Sequence, residues 1–324
     1  MLNSLDLHRR DAKNCQRCKS PEERKRLLDS DGFCRIVKPS DNLRARCVGD
    51  WGADKVVFIS TYVDITGVAL KNSWRNYYYI EICSGPGLCI DYKFGKEFIG
   101  TALASLQTEG AKYFTKLFFF DLNPLTIESL KHRIASNNDI PQEVKDKTVV
   151  EVGDYTNPAS ILEVLNTHIP NHMKGLNVVF VDPTDMSVPF ELYLAMMGFG
   201  KRTDFIINFA DGTDLKRNIK IAFGDPDYPS QKKYSKVLET TDFFKDENNV
   251  ELARTGNFEM LSNAFENIFL QSFTKRGYNY IQRKQIKWYY KLLFLSTNAL
   301  GERFWKSASK KTAVERENGQ GVLF

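Results

Sequence analysis

Four acidic side chains stand at or near the ends of four short apolar segments in the middle of the chain. They are Glu81, Asp121, Asp154 and Asp182. Each segment is rich in β-branched or aromatic residues, which is typical of a buried strand. Parallel open sheets bind ligands at the carboxyl ends of their strands, so these acids are the first candidates for chemistry. A single acid in such a turn is commonly a helix N-cap, but four in this order favour a ligand site.

The first of these segments runs into a glycine turn, Gly85-Pro86-Gly87. Glycines permit positive φ angles and let the backbone approach a ligand closely. Glu81 would accept a hydrogen bond from an ammonium or a ribose hydroxyl, and Ser84 lies in the same turn. The turn lacks the third glycine of the dinucleotide fingerprint, which argues against NAD. A glycine turn after a strand is also often purely structural.

The next two segments predict the rest of an adenosine site. Asp121, followed by Leu122, is placed to bind both hydroxyls of a ribose. Asp154, followed by Tyr155, would meet the adenine amino group. Together with the glycine turn, these residues predict S-adenosylmethionine as the cofactor.

The fourth and fifth segments end where a methyl acceptor would lie. Asp182 precedes a proline and could present its carboxylate or backbone carbonyl to an amino nitrogen. Asn208 could orient the acceptor, although a strand-end cap is an equal interpretation. Thr184 cannot stack on a base. Phe209 or Tyr155 could do so, but core packing explains either ring as well.

The elements that must position these residues alternate between strands and helices. The strands are predicted at 77–82, 116–120, 148–152, 177–181 and 205–209, with two closing strands at 278–287 and 289–297. Helices are predicted at 21–28, 54–70 (one helix or a pair), 98–106, 124–134, 158–165, 263–273 and 303–309. This alternation predicts a Rossmann-like α/β fold, a mostly parallel sheet with helices on both faces.

The domain organisation follows from shifts in composition. Residues 1–50 are basic and contain four of the six cysteines, residues 51–309 form the α/β domain, and residues 310–324 are a polar tail. Residues 211–257 are mixed and charged, which indicates an insertion or lid. In the first segment the thiols of four residues could bind zinc, with free or packed thiols as the alternative: Cys15, Cys18, Cys34 and Cys47.

A basic and aromatic run lies at 275–291, with six basic residues, five aromatic residues and no acid. Interleaved cations and rings suit phosphate contact and base stacking, which predicts nucleic-acid contacts at Arg283, Lys284 and Lys287. Arg217 is a further candidate for phosphate contact. The alternative is structural, because strands favour aromatic residues and edge strands use lysine against aggregation.

The chain resembles the three-Cys-motif partner proteins (TcmP), a bacterial and phage-associated group, from about Trp51 to Trp305. The resemblance rests on short motifs in order: Tyr79-Ile80-Glu81 through Gly85-Pro86-Gly87, Gly100-Thr101-Ala102-Leu103, Phe120-Asp121-Leu122-Asn123-Pro124, Val181-Asp182-Pro183, Ile206-Ile207-Asn208-Phe209, Leu293-Phe294-Leu295-Ser296, Leu300-Gly301 and Phe304-Trp305.

This resemblance implies a class I methyltransferase-type fold and a partnership with a three-cysteine-motif, radical-SAM-like protein. It also implies that the cofactor cleft is lined by Glu81, Gly85, Gly87, Asp121 and Asp182. The chain departs from the family pattern in two places. Cys83-Ser84 stands where Phe-Ala is usual, and Thr184 stands where Phe is usual, close to the acceptor position.

Composition sets the remaining expectations. The net charge of +5 is modest, no apolar run approaches a membrane span, and the N-terminus lacks a signal-peptide pattern, so a cytoplasmic protein is expected. The sequence favours a methyltransferase that uses S-adenosylmethionine and acts on nucleic acid. The alternatives are a non-catalytic partner subunit of the same fold, or methylation of a protein or small molecule.

Overall fold

The computed structural model describes residues 10–49, 51–224 and 229–317. The chain divides into two compact units, Met1–Val152 with Arg303–Phe324 (unit 1) and Gly153–Glu302 (unit 2). None of the described helices is long and apolar enough to cross a membrane.

Unit 1 contains two groups of strands. Its elements are, in chain order, β1 Arg10–Asp11, α1 Pro21–Leu27, β2 Arg46–Val48, α2 Trp51–Leu70, β3 Tyr77–Ile82, β4 Leu88–Asp91, β5 Lys96–Ile99, α3 Thr101–Leu106, β6 Lys116–Asp121, α4 Pro124–Ser136, α5 Gln142–Lys145 and β7 Thr148–Val152. A short sheet has the order β1-β5-β4-β2. The parallel strands β3, β6 and β7 form the larger group, with β6 in the middle.

Unit 2 continues the alternation of strands and helices. Its elements are α6 Pro158–His168, β8 Leu176–Val181, α7 Phe190–Phe199, β9 Arg202–Phe209, α8 Lys216–Ala222, α9 Pro229–Leu238, α10 Glu247–Thr255, α11 Phe258–Thr274, β10 Tyr280–Ile286 and β11 Tyr290–Ser296, and α12 Ala299–Glu317 ends the described chain. Here the strand order is β10-β11-β9-β8. β8 and β9 are parallel, and β11 runs antiparallel to both of its neighbours.

The strand sequences explain this arrangement. Every residue of β3 in unit 1 and of β8 in unit 2 is buried, as expected of parallel strands in a sheet that is covered on both faces. In unit 1, α2 and the 3₁₀ turn Glu109–Tyr113 approach so closely that a Cβ at Gly67 would lie 2.1 Å from the Gly110 carbonyl oxygen. In unit 2 a core of aromatic side chains packs edge to face: Phe190, Tyr193, Phe205, Phe269 and Phe273.

Most predicted elements are confirmed, and the Rossmann-like α/β fold is observed. Two predictions about helices need correction. The helix predicted at 98–106 is wrong at its start, because residues up to Ile99 belong to β5, which pairs with β4. Gly100 then caps α3. The segment predicted at 54–70 is one helix that begins at Trp51, not a pair.

The segment 211–257, which the sequence left unassigned, is largely helical. It contains a π-helical turn at Asp211–Leu215, then α8, α9 and α10. The predicted polar tail also differs, because α12 continues to Glu317. Residues 318–324 lie outside the described residues, as do the first nine residues of the basic N-terminal segment.

Candidate functional site

The turn after β3 joins this strand to the end of β6. The backbone amide of Gly85 donates to Oδ2 of Asp121 at 3.1 Å, and the amide of Ser84 donates to the Phe120 carbonyl at 2.9 Å. Cys83, Gly85 and Gly87 all have left-handed backbone, with φ values of 65°, 66° and 82°. The turn therefore depends on backbone conformations that favour glycine.

The two glycines of this turn have different surroundings. A Cβ at Gly87 would lie 2.8 Å from Cδ1 of Leu130, inside the packing of unit 1. A Cβ at Gly85 would meet no atom within 4 Å. Gly85 thus faces open space that a ligand can approach, whereas Gly87 is required by close packing.

Asp121 lies at the end of β6 and is partly exposed. Its Oδ1 accepts a hydrogen bond from the Asn123 amide at 3.1 Å, while Oδ2 accepts from Gly85. Each carboxylate oxygen retains a second lone pair that can accept a hydroxyl donor. Beside it, Leu122 is 54% exposed and offers apolar surface next to the carboxylate.

Glu81 is fully buried, and two of its hydrogen bonds lie within unit 1. Its two oxygens accept hydrogen bonds from the hydroxyls of Tyr79 and Thr101, so the carboxylate links β3 to α3. Direct contact of Glu81 with a ligand stays a prediction. The Oγ of Ser84 is also buried and has no hydrogen-bond partner among the described residues.

A buried arginine supports the same turn, and sequence reasoning missed it. Arg133 on α4 makes a bidentate salt bridge to Asp41 and donates to the carbonyls of Pro86 and Arg44 at 2.6 Å. Burial alone would raise the pKa of Asp41, but the hydrogen bonds from Arg133 and the backbone outweigh it and hold this pKa below its usual value. No local pattern marks an arginine inside an amphipathic helix as a clamp.

In unit 2 the structure brings the two predicted acceptor residues together. Nδ2 of Asn208 donates to Oδ1 of Asp182 at 2.9 Å and to the Pro183 carbonyl at 3.0 Å. β8 and β9 are adjacent and parallel, so their ends lie side by side. Asn208 is only 6% exposed, and its Oδ1 has no partner among the described residues. Asp182 is partly exposed.

Asp154 and Tyr155, also in unit 2, take part in local turns. Oδ1 of Asp154 accepts from the amide and the hydroxyl of Thr156, at 2.8 Å and 2.7 Å, just before α6. The hydroxyl of Tyr155 lies 2.9 Å from Oγ of Ser187. Both side chains stay partly exposed, and their contact with adenine stays a prediction.

A second buried carboxylate, Asp214, organises the loop after β8, and the sequence did not reveal it. It accepts hydrogen bonds from the Met186 amide, Lys233, Asn218 and the Tyr234 hydroxyl, at 2.6–3.1 Å. Burial would raise the pKa of Asp214, but the hydrogen bonds from Lys233, Asn218 and the Met186 amide, with the Lys233 charge, outweigh it and lower the pKa. The sequence gives no local pattern for this site, because the partners of Asp214 come from three separate segments of the chain.

The basic candidates for nucleic-acid contact have unequal surroundings. The guanidinium of Arg217 lies 5.3 Å from the ring centre of Trp288, which is 57% exposed. The Trp288 ring is tilted by 30° against the ring of Tyr289, with 4.1 Å between their centres. Arg283 and Lys291 both pair with the buried carboxylate of Glu266, at 2.5 Å and 2.7 Å. The pair with Glu266 fits the structural alternative for Arg283, and its contact with nucleic acid stays a prediction.

The other two basic candidates lie on the same hairpin. Lys284 is a half-buried residue of β10, paired with Leu292 of β11. Lys287 is exposed and has left-handed backbone, with φ of 49°, in the turn between the strands. Their contact with nucleic acid stays a prediction.

The predicted zinc site is not observed. Cys15, Cys18, Cys34 and Cys47 are all free. Within residues 10–49, 51–224 and 229–317, no three or more metal-ligating side chains are arranged to hold an ion. Burial raises the pKa of the Cys18 and Cys47 thiols, which favours the neutral form, whereas zinc binds thiolates.

The strand pattern defines the class of fold. In unit 1 the parallel strands are adjacent in the order β3-β6-β7, and in unit 2 β8 and β9 are adjacent. The antiparallel β11 lies between β9 and β10. This differs from the dinucleotide-binding Rossmann order by that one antiparallel strand. The chain therefore has a Rossmann-like α/β fold with one inserted antiparallel strand.

Solved structures with a similar fold include several methyltransferases. The O-methyltransferase TomG from Streptomyces achromogenes, in complex with SAM, is 14% identical to this chain. The match covers 73% of this chain and 79% of TomG, with a TM-score of 0.37. Protein LPL1258 from Legionella pneumophila is 10% identical, with 82% and 92% coverage and a TM-score of 0.44. The plantazolicin methyltransferase BpumL, in complex with a monoazolic desmethylPZN analog and SAH, is 11% identical, with 76% and 85% coverage and a TM-score of 0.37.

No protein-family model matches the chain, and no curated protein matches it.

Proposed function

We propose that this protein is a methyltransferase that uses S-adenosylmethionine. The observation that carries the proposal is the pairing of Asp121 with the Gly85 amide, beside open space at Gly85. This pairing presents a carboxylate with free lone pairs next to a backbone that a ligand can approach. A ribose with two adjacent hydroxyls is the group that such a carboxylate binds well.

The residues of unit 1 fit the cofactor. Asp121 would accept the ribose hydroxyls, Leu122 would pack against the adenosine, and the buried Oγ of Ser84 lacks a partner that a ligand or water can supply. Glu81 would act indirectly, because its hydrogen bonds fix the end of β3 to α3. Bound S-adenosylmethionine supplies an electrophilic methyl group, which leaves S-adenosylhomocysteine after transfer and requires the acceptor to lose one proton.

The residues of unit 2 would orient the acceptor. Asn208 holds the carboxylate of Asp182 by a hydrogen bond and holds the Pro183 carbonyl by another. The second oxygen of Asp182 can then accept a hydrogen from an amino group, which points the nitrogen lone pair away from the carboxylate. Methyl transfer is an in-line displacement, so such positioning is the main contribution expected of the protein.

A nucleic acid is the acceptor class that we propose. The exposed ring of Trp288 lies at the tip of the β10–β11 hairpin, and the Arg217 guanidinium lies 5.3 Å from its centre. Exposed rings with nearby cations bind single strands by stacking and by phosphate contact. The resemblance to the three-Cys-motif partner proteins supports a radical-SAM-like protein as the physical partner.

Calorimetric titration of the full chain with S-adenosylmethionine and S-adenosylhomocysteine tests the cofactor site. We expect micromolar binding, which Asp121→Ala abolishes because the ribose loses its acceptor and the Gly85 amide loses its partner. Glu128→Gln is the matched control, since it removes an exposed acid from α4 in the same unit. No binding by folded wild-type protein would refute the proposal.

Incubation with labelled cofactor then identifies the acceptor. Label in RNA or DNA, lost in Asp182→Ala, is the expected result. Thr184 is exposed where a stacking ring is usual, which favours the alternative of a non-catalytic partner subunit. Cofactor binding without any turnover, together with co-purification of the radical-SAM-like protein, would establish that alternative.

A further inference from the structure

The π-helical turn at Asp211–Leu215 contacts two segments of unit 2 that the proposed function uses. One is the loop that follows β8, residues 182–189, which is called the acceptor loop below. The other is the tip of the β10–β11 hairpin, which carries Trp288. π-Helical turns are rare and occur frequently at functional sites. The contacts of this turn on its two sides therefore decide how the acceptor loop and the hairpin tip are placed relative to each other.

The carboxylate of Asp214, in this turn, holds the acceptor loop. The Met186 amide donates to Oδ2 of Asp214 at 2.8 Å, and Sδ of Met186 accepts the Ala210 amide at 3.3 Å. At the start of the same loop, the side chain of Asn208 donates to Asp182. The acceptor loop is therefore fixed at two points, one at its start and one further along.

Asp214 is itself held by two helices. Its Oδ2 also accepts Lys233 at 2.7 Å, and its Oδ1 accepts Asn218 at 2.6 Å and the Tyr234 hydroxyl at 3.1 Å. These donors belong to α8 and α9, and Asp214 is only 3% exposed. The carboxylate cannot move towards the loop without breaking these contacts. The position of the Met186 amide therefore depends on the length of the Asp214 side chain.

The backbone of the same turn holds the hairpin tip. The amides of Gly212 and Thr213 both donate to the Tyr289 carbonyl at 3.0 Å. A Cβ at Gly212 would lie 2.0 Å from the Trp288 carbonyl oxygen, so this close approach requires glycine. The turn thus binds the hairpin through its backbone and the acceptor loop through a side chain. A change at Asp214 can move the loop while the hairpin tip stays in place.

We propose that Asp214 is a positioning residue for the methyl acceptor, an inference that rests on the proposed function. It holds Asp182 and the rest of the acceptor loop at the distance from Trp288 that a bound RNA strand requires. Because Asp214 is buried, it acts through the Met186 amide and does not touch the acceptor or the cofactor. A displacement of about 1 Å can cost about a hundredfold in rate, so the length of this side chain matters.

The test measures single-turnover methyl transfer by the full chain from labelled S-adenosylmethionine to a random-sequence, single-stranded RNA. Asp214→Glu keeps the charge that pairs with Lys233 but makes the side chain one methylene longer. It should lower the rate at least about tenfold, because the acceptor loop is displaced. Asp214→Asn loses the charge but keeps the length and an oxygen that accepts the Met186 amide. Its rate should stay within about threefold of the wild-type rate, because the geometry is retained.

Asp204→Glu is the matched control. It makes the same change at another buried carboxyl of unit 2, whose partner Ser296 lies on β11, outside the turn and the acceptor loop. The transfer rate of this variant should equal the wild-type rate, although the longer side chain also costs stability. Hydrogen exchange provides a second measurement that needs no methyl transfer. The peptide that contains Met186 should exchange faster in Asp214→Glu than in Asp204→Glu.

The order of the two Asp214 variants separates positioning from stability. A role in stability alone depends on the charge paired with Lys233, so Asp214→Asn would then be slower than Asp214→Glu. That order, or equal transfer rates in the two glutamate variants, would overturn the inference. If Asp214→Glu does not fold, a loss well beyond threefold in Asp214→Asn overturns it instead.

The two proposals fail in different ways. Calorimetry with S-adenosylmethionine should give the same affinity for the wild type and for all three variants, because the proposed cofactor residues lie in unit 1. No methyl transfer by the wild type refutes the proposed function, and the inference falls with it. Methyl transfer by the wild type that is insensitive to Asp214→Glu refutes the inference and leaves the proposed function intact.

Discussion

At the scale of single residues, the turn after β3 places two left-handed glycines two positions apart, with different neighbours. Gly87 faces Leu130 and Leu103 within the packing of unit 1, whereas Gly85 faces open space. A side chain at Gly87 must displace its neighbours, and a side chain at Gly85 must only adopt an unfavourable backbone conformation. A substitution at Gly87 therefore tests the stability of the fold, whereas a substitution at Gly85 tests the access of a ligand.

Gly87→Ala should destabilise the protein more than Gly85→Ala. Left-handed backbone costs a non-glycine residue about 1–2 kcal/mol, and overpacking adds about 1–3 kcal/mol at Gly87. Unfolding in urea measures both losses. Gly85→Ala should instead weaken S-adenosylmethionine binding, because its methyl group projects into the open space. Equal destabilisation by the two variants would contradict this assignment.

A second residue-scale prediction concerns Asp204, a buried carboxyl on β9. Burial raises its pKa to about 6, although the Ser296 hydroxyl donates to it at 2.7 Å. The folded state therefore holds the proton more tightly than the unfolded state. The contribution of Asp204 to the free energy of unfolding is therefore greatest below about pH 4. It falls as the pH rises through 6, by roughly 3 kcal/mol in total.

Asp204→Asn should remove this pH dependence and raise stability at pH 8, because the amide oxygen still accepts from Ser296. Thermal unfolding from pH 4 to pH 8 measures the difference. Asp242→Asn, an exposed acid of the same unit, serves as the control. If the wild type and Asp204→Asn show parallel pH profiles, Asp204 is not the group responsible.

At the scale of elements, α4 connects the N-terminal segment to the glycine turn. Asn123 caps the helix, with its Oδ1 accepting the Leu125 amide at 2.9 Å, and its amide also donates to Asp31. Arg133, further along the helix, binds Asp41 and the Pro86 carbonyl. The same helix therefore holds residues 31–44 and the turn after β3 in one arrangement.

Arg133→Met should cost about 3–5 kcal/mol, because it leaves the carboxylate of Asp41 and two carbonyls without their donor. The N-terminal segment should also become sensitive to limited proteolysis before the rest of unit 1 does. Arg254→Met is the control, since Arg254 pairs with Glu251 on the exposed surface of α10, where a pair contributes at most about 1 kcal/mol. Similar losses in the two variants would show that Arg133 is not a clamp.

At the scale of the whole molecule, ligand binding is linked to stability. A ligand that binds only the folded state adds about 2.7 kcal/mol when its concentration is a hundredfold above Kd. For a chain of this size, each kcal/mol corresponds to a few degrees in Tm. Occupation of the proposed cofactor site should therefore produce a measurable change in the unfolding of the chain.

S-adenosylmethionine at that concentration should raise Tm by several degrees in the wild type and in Glu128→Gln. Asp121→Ala should show no shift, although its own unfolding transition should remain cooperative. Differential scanning fluorimetry measures all three. A shift that persists in Asp121→Ala would mean that the cofactor binds elsewhere or without Asp121.

The sequence by itself determined the alternating strands and helices, because buried parallel strands are apolar along their whole length and end in recognisable turns. It also located the glycine turn, Asp121, Asp182 and Asn208, since the carboxyl end of a strand is a local feature. The π-helical turn and helices of 211–257 escaped it, because each of them spans ten residues or fewer and is rich in charged and polar side chains.

Only the tertiary structure decided which charged groups are compensated. Glu266 pairs with Arg283 and Lys291, Asp214 is surrounded by donors from three segments, and Arg133 reaches Asp41 across a long stretch of sequence. The same holds for the cysteines, whose CxxC spacing predicts zinc although no metal-binding group forms among the described residues. Spacing along the chain constrains neighbours within a few residues, whereas these contacts depend on how distant segments pack.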